Sequence, residues 1–499
     1  MRGSGVGQSA FAQRLESWCA RLPLLIVAYF AFQAAVRFGI SGNLEIDEAE
    51  VASRSGFHLG YGNSHPPLFE WIVFMIRDAS GSWPFAFAVT KAALLATTFL
   101  LMFRTGRVLT GTNTGGAVLS LSMLLMPEIA WQSQITLAHS VLALCASVAF
   151  VASMVLVGER STLPRLTLLA CSLAAALLSK YSTWLLVGGL LAAVMTIPAA
   201  RSRYLTAKVA AAVLAGLALA APHYAWALQN LAGSTERLAR MMRTDPMLSR
   251  LDLPVVGVDG VIALIAGLVS SAGLMIILWL IGRFISRSEE RDPAPSDYRD
   301  LWRALSGRAL ALTIAAIAAA LFLSDAHRFH DRYLTPILVL LPIWLCLRLP
   351  LDHRPYAARR AIGLSLAIAA VIAVAWPAVI LFGHHAFSYP YGALAAQIAD
   401  DLPAGTAIAM PRLDDAVNMR LRLNGTDLYD PANPAQSVAV LWSGRAEDES
   451  KVLESFSDRY RSTAPVRTIT APFDNLSGRT AVLNLAILQR TPAVPSPDD

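Results

Sequence analysis

The segment LPLLIVAYFAFQAAVRFGI, residues 22–40, is the first long apolar stretch of the chain, and Asp47-Glu48-Ala49-Glu50 follows it closely. A helix that crosses the hydrocarbon core of a bilayer needs about 20 apolar residues, so this segment is long enough to span. Carboxylates beside a span are costly to desolvate and mark functional sites. The sequence therefore predicts a membrane protein with chemistry just beyond its first span.

Further apolar segments of similar length follow along the chain. They lie at approximately 85–103, 114–131, 137–157, 164–180, 182–200, 208–228, 256–282, 307–324, 332–348 and 361–383. The composition agrees, because 55% of the 499 residues are hydrophobic and only 15% are charged. Such values are typical of polytopic membrane proteins rather than of soluble enzymes. The predicted fold class is an α-helical polytopic membrane protein with about 11 transmembrane helices.

The basic residues cluster in alternate links between these segments, for example at Arg104 and Arg107 and at Arg201 and Arg203. By the positive-inside rule these links are cytoplasmic. The N-terminus is then predicted inside, and the region after the last span outside. The formal charge of +6 therefore indicates topology and not nucleic-acid binding.

Two domains are predicted. Residues 1–384 form a transmembrane domain whose first outward loop, 41–84, is long, and residues 385–499 form a small α/β domain on the outer face. Within the loop, 48–59 and 67–79 each predict a short helix, the second apolar nearly all round and suited to the membrane interface. Strands and helices of the α/β domain are predicted at 407–410, 437–442 and 481–488, and at 391–400 and 447–459.

The acids of the first loop have two interpretations. Asp47 and Glu48 point about 100° apart on a helix, so only one can face a given site. Asp47 caps the loop helix in one interpretation and is a general base that deprotonates a hydroxyl in the other. The prolines of His65-Pro66-Pro67-Leu68 suit a stiff turn that starts a helix, but they leave His65 as a candidate ligand for a phosphate or sugar oxygen.

A second polar cluster, Asp325-Ala326-His327-Arg328-Phe329-His330-Asp331-Arg332-Tyr333, falls in a predicted outward loop. Basic residues are disfavoured there, and guanidinium groups suit phosphate binding. The alternative is charge balance with the two aspartates. Lys180, followed by Tyr181, interrupts two apolar segments and either meets a phosphate or snorkels to the interface.

One family is similar to this set of motifs: Asp47-Glu48-Ala49, Gly60-Tyr61, His65-Pro66-Pro67-Leu68, Ser179-Lys180-Tyr181 and Arg332-Tyr333-Leu334-Thr335-Pro336. The chain resembles the GT-C fold glycosyltransferases that use polyprenyl-phosphate sugars. The similarity is to the bacterial branch related to protein O-mannosyltransferases and lipid A aminoarabinose transferases, families 39 and 83. It covers approximately residues 20–385.

The resemblance implies an inverting transfer in which an acceptor hydroxyl attacks the anomeric carbon of the lipid-linked sugar. Asp47 matches the catalytic base, and Lys180, Arg328 and Arg332 match by location the cations that stabilise the departing phosphate. The substrate-binding residues expected on this basis are Glu48, Tyr61, His65, His139, Lys180, Tyr181, Arg328, His330, Arg332 and Tyr333.

His139 departs from the family pattern, because many relatives have a second Asp at the start of the fourth span. The sequence therefore favours a metal-independent enzyme without a cofactor, and a divalent metal is the less favoured alternative.

The expected function is transfer of a monosaccharide from a polyprenyl phosphate to a cell-envelope glycan, either lipopolysaccharide core or lipid A, on the periplasmic face of the bacterial inner membrane. The expected partners are the lipid-linked sugar, a lipid or glycan acceptor and the bilayer, with no nucleic acid. Protein O-glycosylation is the nearer alternative. A lipid or solute transporter is an alternative of another class, but it would carry inverted repeats and mid-span charges, which the sequence lacks.

Overall fold

The computed structural model describes residues 4–61, 65–230, 258–285, 296–323, 329–348, 354–383, 385–443 and 449–491. Two compact units divide the chain. The first comprises the described residues of 1–35, 57–80 and 88–373, and the second those of 36–56, 81–87 and 374–499.

The α-helices are numbered here in chain order. They are α1 Ser4–Cys19, α2 Leu22–Ile40, α3 Ile46–Ala52, α4 Leu68–Ser80, α5 Trp83–Thr110, α6 Asn113–Ser122, α7 Ser133–Ile135, α8 Ala138–Glu159, α9 Leu163–Leu177, α10 Thr183–Thr196, α11 Pro198–Tyr204, α12 Ala207–Gln229, α13 Val258–Ile285, α14 Asp297–Leu323, α15 Thr335–Leu338, α16 Leu340–Arg348, α17 Pro355–Phe382, α18 Tyr391–Ala396, α19 Leu413–Arg420 and α20 Glu449–Glu454. Shorter helical turns are Met123–Leu125, Glu128–Gln132, Asp331–Tyr333, Ala386–Ser388 and Ala399–Asp401.

Seven of the described helices are long and apolar enough to cross a membrane, and up to 9 spans result if each of two bent helix pairs forms one. The bends are 83° between Asn113–Leu125 and Glu128–Ile135 and 114° between α10 and α11. The shorter apolar helices are Leu163–Leu177 and Thr335–Arg348. An apolar helix stands at every predicted span, so the polytopic fold class is confirmed.

The helix α8 is the centre of the first unit. In its most apolar window 94% of the residues are buried, against 28% in α12 and α17. The peripheral helices expose large aliphatic side chains such as Leu214 and Val374, which cost nothing in lipid. Small residues let neighbouring helices pack closely: Gly216 of α12 faces the Ala170 carbonyl of α9, leaving no room for a Cβ.

The loop helices differ from their prediction in two respects. The helix predicted at 48–59 is α3, which ends at Ala52. The helix predicted at 67–79 is α4, and it is not apolar all round, because Glu70 lies on its buried face beside Phe69 and Val73.

The second unit contains a mixed sheet. Its strands are β1 Ala407–Ala409, β2 Asp427–Leu428, β3 Ser437–Trp442, β4 Tyr460–Ser462, β5 Arg467–Pro472 and β6 Thr480–Arg490. Their order is β2-β1-β3-β6-β4, with β5 also paired to β6. The pairings β1–β2 and β1–β3 are parallel and those of β6 are antiparallel. All three predicted strands are present.

Candidate active site

The helix α3 begins with a reciprocal cap. The side chain of Glu45 accepts a hydrogen bond from the Asp47 backbone N–H at 3.2 Å, and Glu48 accepts one from the Glu45 N–H at 3.3 Å. The cap residue is therefore Glu45, and the interpretation of Asp47 as the cap is wrong. Because Glu48 completes this capping box, its carboxylate is used within the fold.

Glu48 also binds a buried arginine. Arg37 Nη2 lies 2.9 Å from Glu48 Oε2, and the guanidinium also donates to the carbonyls of Ser41 and Asn43. Its carbon Cζ lies 4.0 Å from the centre of the Phe387 ring. Glu48 is buried, whereas Asp47 on the same turn is half-buried. The two adjacent acids therefore differ in environment, and Asp47 is the more accessible one.

The helix α3 is held on its other side by α19. Asn418 accepts a hydrogen bond from the Leu44 N–H and donates one to the Leu44 carbonyl, both at 2.8 Å. Arg420 donates to the Ala52 carbonyl at 3.2 Å. Asp47 is thus carried by a short helix that is fixed at both ends.

In the first unit, Lys180 and Arg332 lie beside one aromatic ring. Lys180 Nζ is 5.3 Å and Arg332 Cζ 5.9 Å from the centre of the Tyr333 ring. Lys180 is buried and donates to Ser140 Oγ at 2.8 Å. His330 contacts the same tyrosine edge-on, with 5.7 Å between the ring centres. The sequence motifs around residues 180 and 332 therefore meet.

Two carboxyl groups accompany these cations. Glu128 shares a hydrogen bond with Asp331. The positive charges of Arg332 and Lys180 both interact with the Glu128 carboxyl group. Asp331 also accepts a hydrogen bond from the Arg332 backbone N–H at 2.8 Å. The cluster is therefore a network of both signs of charge that holds its cations in place.

The His-Pro-Pro-Leu motif joins the same neighbourhood. The rings of His65 and His139 stack with 4.3 Å between centres, and the Leu68 N–H donates to the Leu178 carbonyl at 3.2 Å. His139 Nε2 lies 3.1 Å from Glu70 Oε1, and both side chains are buried. The acid partner of His139 thus comes from α4.

The turn before α8 is strained. Leu137 has φ 61° and ψ 35°, and it is the non-glycine residue with positive φ among the described residues. This left-handed conformation costs roughly 1–2 kcal/mol in a residue with a side chain. The turn places His139 and Ser140 in the first helical turn, where they bind Glu70 and Lys180. Strain that persists at such a point is typical of functional sites.

Glu70 offers a test of this packing. Glu70→Leu is expected to lower the free energy of unfolding by about 1–3 kcal/mol, because it removes the hydrogen-bond partner of the buried His139 ring. Glu70→Gln retains an oxygen that accepts from His139 and should cost less. Thermal unfolding of the purified protein in detergent measures both, and equal midpoints for Leu, Gln and wild type would contradict the role of this contact.

Tyr181 and Tyr61 lie in an adjoining aromatic group. The Tyr181 hydroxyl is 3.2 Å from His223 Nε2, and His223 Nδ1 donates to the Leu59 carbonyl at 2.6 Å. The Tyr61 ring lies 6.0 Å from Phe74. Gly60 is required here, since a Cβ would lie 2.0 Å from the Trp226 ring.

The structure thus brings together His65, His139, Lys180, His330, Arg332 and Tyr333. Arg328 lies outside the described residues. Asp47 and Glu48 belong to the second unit. Sequence reasoning missed the roles of Arg37, Glu70 and His223, although a lone glutamate in the otherwise apolar run 68–76 was a usable signal.

No group of three or more His, Cys, Asp or Glu side chains forms a metal-type cluster in the described part of the chain. Independence from a metal or other cofactor stays a prediction.

Comparison with known proteins decides the class. Over 95% of this chain and 99% of the other, the fold matches ArnT from Cupriavidus metallidurans bound to undecaprenyl phosphate, with TM-score 0.55 and 13% identity. The apo form matches with TM-score 0.56 and 14% identity over 93% and 97%. A family described as dolichyl-phosphate-mannose-protein mannosyltransferase matches residues 64–226.

Two curated relatives come from Rhizobium johnstonii. The lipopolysaccharide core galacturonosyltransferase RgtB is 26% identical over 71% of this chain and 70% of its own length. RgtA, of the same description, is 26% identical over 64% of this chain and 63% of its own. The chain is a glycosyltransferase of the GT-C fold. The alternative of a transporter is therefore wrong. The family match begins in the His65 motif of this transferase and runs through Lys180 to His223.

Proposed function

We propose that this transferase moves a monosaccharide from a polyprenyl-phosphate donor to a cell-envelope glycan, lipopolysaccharide core or lipid A. The reaction takes place on the periplasmic face of the bacterial inner membrane, with the N-terminus of the chain in the cytoplasm. The observation that carries the proposal is the placement of Lys180 and Arg332 about one tyrosine, Tyr333. Two cations held in a partly dry site suit a phosphate whose charge rises as the sugar leaves.

Each residue has a role in the proposed mechanism. Asp47 takes the proton of an acceptor hydroxyl, whose oxygen attacks the anomeric carbon on the face opposite the phosphate. The new C–O bond forms as the bond to the phosphate oxygen breaks, so the anomeric configuration inverts. Lys180 and Arg332 stabilise the departing polyprenyl phosphate. His65, His330 and Tyr333 bind the donor, and Glu48 holds the base helix through Arg37.

The names of similar proteins support both substrates. Undecaprenyl phosphate is bound in one matching structure, and dolichyl phosphate appears in the family description, so both are isoprenoid phosphates. Lipopolysaccharide core is the acceptor named for both curated relatives. Protein O-glycosylation is the second candidate, favoured by the family description alone.

A deletion strain separates these acceptors. We expect mass spectrometry of its lipopolysaccharide and lipid A to show loss of one monosaccharide, restored by the wild-type gene, with envelope glycoproteins unchanged. Loss of a glycan from proteins, with intact lipopolysaccharide, would instead establish the second candidate.

A further inference from the structure

The second unit contains a cleft that the proposed mechanism does not use. Its volume is about 510 Å³, within the range of roughly 300–1,000 Å³ that is usual for small-molecule sites. The segment 385–391, the start of α19, the end of β3 and the start of β6 line it. All of these belong to the second unit.

Aromatic side chains form much of the lining. The rings of Tyr389 and Tyr391 lie 4.7 Å apart, and Phe473 packs edge-on against Tyr389 at 5.4 Å. Trp442 completes the set. Tyr389 is partly exposed, whereas Tyr391, Phe473 and Trp442 are buried. A pyranose has apolar C–H faces and polar hydroxyl edges, so an aromatic ring with a few convergent polar groups matches its chemistry.

The polar groups of the cleft are held in fixed positions. Arg412 binds Asp414 through two hydrogen bonds, from Nε at 3.1 Å and from Nη2 at 2.7 Å. The Tyr391 hydroxyl donates to Asp415 Oδ1. Asp415 is partly buried, and this burial raises its pKa above the ordinary value for an aspartate. Carboxylate oxygens accept hydrogen bonds from sugar hydroxyls without needing to reorient.

The charged side chains of the cleft limit the class of ligand that can bind there. The lining holds two carboxylates, Asp414 and Asp415, and Arg412 offsets one of them. A phosphate or a uronic acid would meet a like charge here. A neutral, hydroxyl-rich sugar would not.

The cleft is tied to the helix that carries Asp47. Asn43 Nδ2 donates to the carbonyls of Ala386, Phe387 and Tyr389, the last at 2.7 Å. Residue 43 leads directly into α3, and Tyr389 lines the cleft. A glycan bound in the cleft is therefore held by the same unit as the proposed base.

We infer that this cleft binds a neutral pyranose ring of the acceptor glycan. The inference rests on the proposed function where it identifies the bound sugar as part of the acceptor. Binding of the sugar itself is measured without any transfer.

The experiment uses the full chain in nanodiscs, with methyl β-galactopyranoside as the probe and saturation-transfer NMR as the readout. Asp415→Asn is expected to raise the dissociation constant about tenfold or more, because an amide forms weaker hydrogen bonds with sugar hydroxyls than a carboxylate does. Asp401→Asn is the matched control, because Asp401 is an exposed acid of the same unit that pairs with Arg467. The affinity of Asp401→Asn for the probe should equal that of the wild-type protein. Thermal unfolding midpoints of the variants check that they fold.

Three further arms make the outcome decisive. Methyl galacturonoside should bind more weakly than the neutral probe, and polyprenyl phosphate should not compete with it. Asp47→Asn should bind the probe normally. A wild-type protein that binds the probe but transfers no sugar from a lipid-linked donor would count against the proposed function alone. Absent binding, equal binding by all variants, preference for the acidic sugar, or competition by the lipid would overturn the inference.

Discussion

Replacing Asp47 with Asn is expected to lower the rate of sugar transfer by about 10²–10⁴-fold, the range typical of a lost general base. Asn has nearly the same size and still forms hydrogen bonds, but it cannot take a proton from the acceptor hydroxyl. The helix should keep its structure, since its cap is formed by Glu45 and Glu48. Transfer from a lipid-linked sugar in isolated membranes measures the effect.

The control for this variant is Asp78→Asn, the same chemical change at an exposed carboxylate beside Arg77. It should transfer sugar at the wild-type rate. Equal expression and equal thermal midpoints of the two variants separate chemistry from folding. Wild-type transfer by Asp47→Asn would contradict the assignment of the base.

Loss of either cation near Tyr333 should have the next largest effect. Arg332→Gln and Lys180→Met are each expected to lower kcat by about 10²–10³-fold, because the positive charge acts mainly on the phosphate as it departs. The kcat of Arg332→Lys should lie between the values for wild type and for Arg332→Gln, since an ammonium retains charge but loses the paired hydrogen bonds of a guanidinium. The Michaelis constant for the donor should change much less than kcat.

Arg77→Gln is the matched control for the cations, because Arg77 is an exposed arginine paired with Asp78. It should leave kcat unchanged. Lys180 is buried and donates a hydrogen bond to Ser140, so the thermal unfolding midpoint of Lys180→Met must be measured as well. A normal kcat in both Arg332→Gln and Lys180→Met would show that the phosphate is stabilised elsewhere.

The helices were predictable because each depends on a continuous apolar run whose length the bilayer dictates. The strands at residues 407–409 and 437–442 were predictable for a similar local reason. The proximity of Lys180 to Arg332 followed from placing both in one outward layer. Each of these features depends on local pattern or on topology.

The buried pairs were not predictable, because each joins residues that are distant in sequence. Glu70 and His139 are 69 positions apart, and nothing local to either indicates the other. The cap of α3 was misjudged for a different reason: Glu is not among the preferred N-cap residues, so Asp47 was the stronger candidate. The cleft of the second unit depends on the same long-range packing, and no sequence motif marks it.

Reconstituted transfer tests the central claim most directly. The purified protein in nanodiscs is supplied with a polyprenyl-phosphate sugar and lipopolysaccharide core or lipid A, and NMR follows the product and the released lipid. The account predicts one free polyprenyl phosphate for each sugar transferred, with the anomeric configuration inverted. A retained configuration, or transfer that requires a nucleotide sugar and leaves the lipid-linked sugar intact, would contradict it.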